Sequence, residues 1–230
     1  VVEFASGLSK MGWIILSTGG TARKLREFDV NVTDVSEITQ HPEILGGRVK
    51  TLHPAVHGGI LARRDNSNDM QTLRELKYGP IDLLCVNLYP FQNVANEDPP
   101  VSDSKLIEMI DIGGPTMIRS AAKNHKDVIV ITNQSQYEKI IHELKDSKGD
   151  PSAINITMRK QLALAAFQLT ASYDVVVSNE LESRFNNPTV PSKILITSDL
   201  GNKLRYGENP HQPASFYPAS NINGPVGLAS

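Results

Sequence analysis

Ile81-Asp82-Leu83-Leu84-Cys85-Val86-Asn87-Leu88 is apolar at nearly every position. A strand with one wet face alternates between apolar and polar residues. A strand covered on both faces does not, and parallel sheets with helices on each side cover their strands in this way. Tyr78-Gly79-Pro80 stands immediately before the run and closes a helix predicted from residues 71–77. Two further runs have the same texture, Trp13-Ile14-Ile15-Leu16 and Asp127-Val128-Ile129-Val130-Ile131-Thr132. Between the runs the apolar period changes to that of helices. Val2, Phe4, Ala5, Leu8 and Met11 mark a helix ended by Gly12, and Thr21 to Phe28 reads as another. Ser104 to Ile110, Pro115 to about Asn124, and Gln136 to Lys145 complete the alternation. Strand and helix in turn predict an α/β domain with a mostly parallel sheet flanked by helices.

Beyond residue 150 the pattern changes. Leu162, Ala165, Ala166, Leu169, Tyr173, Val176 and Val177 trace a long helical stripe, although the β-branched run Val175-Val176-Val177 argues against helix. After Asn186 the chain is punctuated by Pro188, Pro191, Pro210, Pro213, Pro218 and Pro225. Only Lys193-Ile194-Leu195-Ile196-Thr197 reads as a strand there. Two regions are expected, 1–185 as the folded domain and 186–230 as a linker and incomplete tail.

Composition removes several classes of function. Of 230 residues, 40% are hydrophobic and 21% charged, enough to bury a core and too apolar for global disorder. A net charge of -2 supplies no basic field for a nucleic-acid backbone. The single cysteine, Cys85, excludes a disulfide framework and a cysteine-based zinc site. No apolar run approaches the roughly 18–20 residues of a membrane span, and Val1-Val2-Glu3-Phe4-Ala5 does not read as a signal peptide. The expectation is a soluble, cytoplasmic protein without nucleic-acid or membrane partners. His53 and His57 have i,i+4 spacing but enclose Pro54 and lack the HExxH pattern, so no metal is expected. There is no G-x-S-x-G elbow.

In open parallel sheets ligands bind beyond the carboxyl ends of the strands. Ser17-Thr18-Gly19-Gly20-Thr21 lies there, between a strand and a helix, and suits a phosphate. It also suits an ordinary tight turn. Asn87-Leu88-Tyr89-Pro90-Phe91 lies at the end of the central run, where Tyr89 could relay a proton or simply pack. Two polar loops accompany them. In Gly46-Gly47-Arg48-Val49-Lys50-Thr51-Leu52-His53-Pro54, an extended backbone would point Arg48 and Lys50 the same way. Asp111-Ile112-Gly113-Gly114-Pro115 leads to Arg119 and Lys123, four apart on one helix face.

Taken in order, these segments together with Ala121-Ala122-Lys123-Asn124-His125 resemble the N-terminal domain of the bifunctional purine biosynthesis family, which combines AICAR formyltransferase and IMP cyclohydrolase. The resemblance covers roughly residues 1–185. Leu204-Arg205-Tyr206-Gly207-Glu208-Asn209-Pro210-His211-Gln212 is similar to the opening of the family's formyltransferase domain. The resemblance implies a methylglyoxal-synthase-like fold, a homodimer, and dehydrative closure of FAICAR to IMP without metal or organic cofactor. The 10-formyltetrahydrofolate of the family serves the formyltransferase, whose activity is not expected here. Relative to the family, a first strand and its phosphate-binding loop are expected to be missing.

By the same resemblance Lys50, Tyr89, Asp111 and Lys123 stand at the reacting end. Asp111 is implied as base or carboxamide anchor and Lys50 as oxyanion partner. Tyr89 and Lys123 remain alternatives as proton donor. Thr18, Gly19, Gly20 and Thr21, with Arg48, Val49, Lys50 and Thr51, are implied to hold the ribose phosphate. Val86, Asn87, Asp111 and Ile112 are implied to meet the base. The other reading is a nucleotide-binding fragment of the same fold that performs no chemistry.

Overall fold

In a computed structural model, residues 1–186, 193–198, 201–205, 207–209 and 211–217 are described. The chain divides into two compact units, Val1–Thr170 and Ala171–Ser230.

The first unit opens with α1 (Val2–Lys10), β1 (Ile15–Ser17), α2 (Gly19–Glu27) and β2 (Val32–Asp34). Phe4, Ala5 and Leu8 turn inward from α1, as their spacing predicts. α3 (Val35–Thr39) follows β2 without a loop, and a capping box of Asp34 and Glu37 fixes its start. A 3₁₀ turn (Leu45–Gly47) leads to α4 (Pro54–Leu61), then α5 (Ser67–Glu75) and β3 (Leu83–Cys85). Short helices α6 (Phe91–Ala95) and α7 (Asp103–Glu108) precede α8 (Gly113–Lys123) and β4 (Ile129–Ile131). α9 (Tyr137–Asp146) packs back on α1. α10 (Ile156–Asn186) runs 31 residues and continues into the second unit. Its length shows that the three valines at 175–177 do not interrupt it.

The strands pair as β1 with β2 and β3 with β4, each pair parallel. The fold is therefore α/β with parallel pairing. The long apolar run at 81–88 contributes only Leu83–Cys85 as strand, although its ladder reaches from the Asp82 carbonyl, which accepts from Ile129, to the Val86 N–H, which donates to Ile131. Ile129, Val130 and Ile131 are at most 1% exposed and form the centre of the core with Ile118, Ala121, Ile60 and Leu144. Full burial of such a side chain is worth about 1.5–3 kcal/mol.

A polar latch closes the amino ends of β3 and β4. The Arg64 guanidinium donates to the carbonyls of Gly59, Ala62 and Ile81, while its backbone N–H donates to Asp127. Beside it the Asn124 amide donates to the carbonyls of Ile60 and Ala62.

Several boundaries differ from the sequence expectation. β2, α3, α4 and α6 lie in stretches too short or too polar to show a period. α8 begins at Gly113, two residues ahead of Pro115, because Asp111 caps it from outside. In the second unit Lys193–Thr197 is irregular, and the only pairing among the described residues there is antiparallel, β5 (Asn202–Lys203) with β6 (Ser215–Phe216). Apolar residues alone do not make a strand without a neighbour to pair with. Pro188, Pro191, Tyr206, Pro210, Pro218 and Pro225 lie outside the described residues.

Candidate functional site

β1 ends at Ser17, and Thr18, still extended, leads straight into α2. Gly19 takes φ 53, a conformation that costs a side-chain-bearing residue about 1 kcal/mol or more. The first intrahelical bond runs from the Ala22 N–H to the Thr18 carbonyl, and the Thr18 side chain makes no capping bond. The opening N–H groups of α2 therefore have no acceptor within the helix. Gly19, Gly20 and Thr21 are all exposed.

A second loop bends toward this helix start. An antiparallel bridge between Ile44 and Val49 closes it around Gly47, which takes φ 94. Lys50 Nζ lies 3.1 Å from Glu43 Oε2, and a methyl group placed on Gly19 would lie 3.5 Å from that ammonium. The cation thus stands over the start of α2. Arg48 does not join it. Its backbone is helical (φ -66, ψ -24), not extended, and its guanidinium reaches outward to Glu108 at 2.8 Å. The extended backbone under which both cations would share a direction is therefore not present at Arg48. Thr51 faces α8 instead: a methyl on Gly113 would lie 2.8 Å from its Oγ1.

The third contributor is the start of α8. The Asp111 carboxylate accepts from the Gly114 N–H at 2.8 Å. Gly114 must be glycine here, because a Cβ would come within 2.5 Å of Asp111 Oδ2 and 2.9 Å of Leu88 Cδ2. Leu88, just past β3, therefore touches the same corner as Asp111. Ile112 is exposed, and its carbonyl accepts from the Thr116 hydroxyl at 2.7 Å. Gly19, Lys50, Thr51, Gly113, Gly114, Asp111 and Leu88 form one continuous rim, where the carboxyl ends of β1 and β3 meet the 47–51 loop.

The remaining candidates divide. Val86 spends its N–H on Ile131, and Asn87 donates to the Tyr137 hydroxyl at 3.4 Å. Cys85 also donates to that hydroxyl at 3.4 Å. Burial, reinforced by Cys85, pushes the Tyr137 phenol up to about 12, and burial pushes the Cys85 thiol up as well. Tyr89 is largely exposed on the loop after Leu88. Lys123 stands apart. It is twelve residues beyond Asp111, at the opposite end of α8, which at 1.5 Å per residue is about 18 Å along the axis. There it lies among Leu61, Arg119, Leu164 and Phe167, with Arg119 5.4 Å above the Phe167 ring. One chain therefore gathers Lys50 and Asp111 but leaves Lys123 outside their reach.

Sequence reading missed Glu43, Glu108 and Tyr137. Glu43 offers one signal, an opposite charge seven residues before Lys50; the others depend on folding. Beneath the rim, His57 on α4 hydrogen-bonds Ser120 on α8 at 3.1 Å. Burial lowers its pKa, the backbone of Thr51 pulling the other way. Among the described residues, no three histidine, cysteine or acidic side chains cluster closely enough to hold a metal ion, and no helix is long and apolar enough to cross a membrane.

A parallel α/β core with glycine turns, Lys50 and Asp111 gathered at its strand ends defines the class, and residues 1–116 match the family model of the MGS-like domain. Residues 121–228 match the model of the AICARFT/IMPCHase bienzyme. The chain belongs to the family of bifunctional AICAR formyltransferase/IMP cyclohydrolase proteins. It is 53% identical over 218 residues to the bifunctional purine biosynthesis protein PurH of Petrotoga mobilis, an alignment covering 94% of this chain and 42% of that protein. To the same protein of Persephonella marina it is 48% identical, covering 94% and 41%. The chain thus spans about two fifths of the length of these curated relatives. A solved structure, that of ForH, superimposes with a TM-score of 0.69 at 36% identity, covering 78% of this chain and 90% of that one.

Proposed function

We propose that the rim between β1, the 47–51 loop and the start of α8 is the cyclohydrolase site, and that it takes FAICAR and releases IMP. The observation that carries the reading is the meeting of an unpaired helix start, the Lys50 ammonium and the Asp111 carboxylate. The first two suit a ribose phosphate, and the third suits an amide.

The substrate carries a carboxamide and a formamide on adjacent ring carbons, so proximity is largely met before binding. The carboxamide nitrogen attacks the formyl carbon, forming one C–N bond and turning the carbonyl into an oxyanion. That nitrogen gives up one proton and the oxyanion gains one. The C–O bond of the resulting carbinol then breaks and its hydroxyl leaves as water with a proton from the acid, while the former formamide nitrogen loses its proton and forms the ring double bond. Asp111 is placed to hold the carboxamide or accept its proton. Lys50 offers the positive charge for phosphate or oxyanion, released from Glu43 as the ligand arrives. Tyr89 is the donor that one chain can supply from the loop beside Leu88.

Lys123 enters this reading only across a subunit contact. The exposed Leu61, Leu164 and Phe167 beside it suit a second copy of the chain, so a homodimer in the cytoplasm is part of the proposal. The closure uses no cofactor. Formyl transfer from 10-formyltetrahydrofolate is assigned to the longer proteins of the family. The separation of Lys123 from Asp111 favours a second reading, in which a single chain binds IMP and converts nothing.

Calorimetric titration with IMP, together with the ultraviolet change on incubation with FAICAR, separates the two. Conversion that falls about 10²–10⁴-fold in Asp111→Asn supports catalysis. Binding without conversion at any chain concentration supports the second reading, and loss of neither binding nor turnover in Asp111→Asn refutes the site.

A further inference from the structure

Glu43 precedes Lys50 by seven residues, and a tight turn sets the two side by side. Ile44 and Val49 exchange both main-chain hydrogen bonds, at 3.2 and 3.4 Å, as one antiparallel pair. The next pair outward in that register is Glu43 with Lys50, and opposed residues of such a pair bring their side chains together. Leu45 (φ 54), Gly46 (φ 64) and Gly47 (φ 94) are left-handed in succession and turn the chain back. A Cβ on Gly47 would stand 2.6 Å from Glu43 Oε1 and 2.8 Å from Lys50 Cε, so both side chains lie across its bare face. Gly47 and the bridge thus seat the Lys50 stem by packing. What the Glu43 carboxylate adds is charge, 3.1 Å from Lys50 Nζ.

That charge stands where it opposes an incoming anion. The ammonium lies over the first turn of α2, Gly19-Gly20-Thr21-Ala22, which brings no acidic side chain of its own. The other cation of the loop, Arg48, is turned away to Glu108. A phosphate that approaches the opening N–H groups of α2 therefore meets a cation whose field its neighbour cancels, and it must displace the carboxylate to gain the ammonium. With side-chain exposures of 28% for Lys50 and 46% for Glu43, the pair is wet and weak, so it can exchange. A phosphate monoester, at about -1.5 to -2 near neutral pH, outweighs one carboxylate. The carboxylate is tethered beside Lys50, however, and competes at a high local concentration.

We propose that Glu43 is an internal competitor for the phosphate of the ligand, an autoinhibitory carboxylate that yields Lys50 to a nucleoside phosphate and reclaims it on release. It holds the affinity for phosphate-bearing ligands below what the rim would otherwise reach, and so keeps the product from lingering. It leaves the binding of an unphosphorylated nucleoside untouched. The inference rests on the reading of the rim as a nucleoside phosphate site. The sign of its effect is what sets it apart: a carboxylate that merely supported Lys50 would strengthen phosphate binding, whereas a competitor weakens it.

The test titrates IMP, ribose 5-phosphate and inosine by calorimetry into the whole 230-residue chain, into Glu43→Gln and into Lys50→Met. Glutamine keeps the length of the side chain and an oxygen acceptor while removing the charge, and at this half-exposed position the melting temperature should stay within about two degrees. In Glu43→Gln the affinities for IMP and ribose 5-phosphate rise by about two- to fivefold, and that for inosine does not change. Phosphate ligands that bind Glu43→Gln equally or more weakly would make the carboxylate a support for Lys50 and overturn the proposal. A gain shared by inosine would mean a rearranged loop and overturn it as well. Lys50→Met separates this failure from that of the rim itself. If it weakens IMP while Glu43→Gln brings no gain, only the role of Glu43 is refuted. If it leaves IMP affinity unchanged, or IMP binds none of the three chains, the rim is not the phosphate site and the proposal goes with it.

Discussion

Gly20→Ala separates the structural role of the helix start from its ligand role. Gly20 is the second residue of α2, has no left-handed torsion, and nothing lies within 4 Å of where a Cβ would stand. The folded chain therefore accepts the methyl without a clash. Alanine in a helix is favoured over glycine by up to about 1 kcal/mol, less in the first turn, because the unfolded chain loses freedom. At about 2–4 °C per kcal/mol for a domain of this size, the melting temperature rises by about 1–4 °C. If a phosphate lies against the open N–H groups of this turn, the same methyl intrudes on it, and IMP binding weakens by about tenfold, ~1.4 kcal/mol. Thermal melting and calorimetry on one preparation read both quantities. Gly19→Ala is the contrasting variant, since φ 53 makes it less stable by about 1 kcal/mol. A Gly20→Ala chain that melts higher and binds IMP as before would refute phosphate contact at α2.

Gly114→Ala forces a Cβ against Asp111 and Leu88, so urea denaturation should show a loss of about 1–3 kcal/mol, with ligand binding at the rim lost as well. Asp111→Asn keeps an oxygen for the Gly114 N–H, so its melting temperature should stay within a few degrees while FAICAR closure falls, which fluorescence melts and an ultraviolet assay measure together. His57 is held below its ordinary pKa of 6.5 in the fold. The unfolded chain then binds more protons just below that pH, so stability should drop as pH falls through 6.5 and level off below the folded-state pKa; in His57→Asn melts across that range this component should disappear. Trp13 donates its indole N–H to the Gly149 carbonyl at 3.0 Å, and Trp13→Phe should cost about 1 kcal/mol or more by denaturant titration.

The alternation of strand and helix was legible because β4 is buried on both sides and leaves an unmixed apolar signature; the 81–88 run has the same texture although only Leu84 in it is fully buried. β2 and α3 were not, since Val32–Thr39 is held by the Asp34–Glu37 box and not by a period. At the site, the glycine-rich turns at 19–20 and 113–114 marked where backbone comes close to other groups, and the fold uses both. The direction of Arg48 could not be read, because the 3₁₀ turn before it rotates its side chain toward Glu108. Nor could the place of Lys123: i,i+4 spacing puts it on the same face as Arg119, but which end of a helix meets the rim is decided by where Asp111 caps it.

The latch of Arg64 and Asn124 bears on how such a domain can change over evolutionary time. It ties the end of α4 to the chain entering β3 through main-chain carbonyls, and to the chain entering β4 through the Asp127 carboxylate, at the end opposite the rim. Anchorage of that kind does not depend on which residues decorate the loops at 47–51 or 111–114. Mutations there can trade one small-molecule specificity for another while the scaffold stays folded, giving the architecture room to diversify.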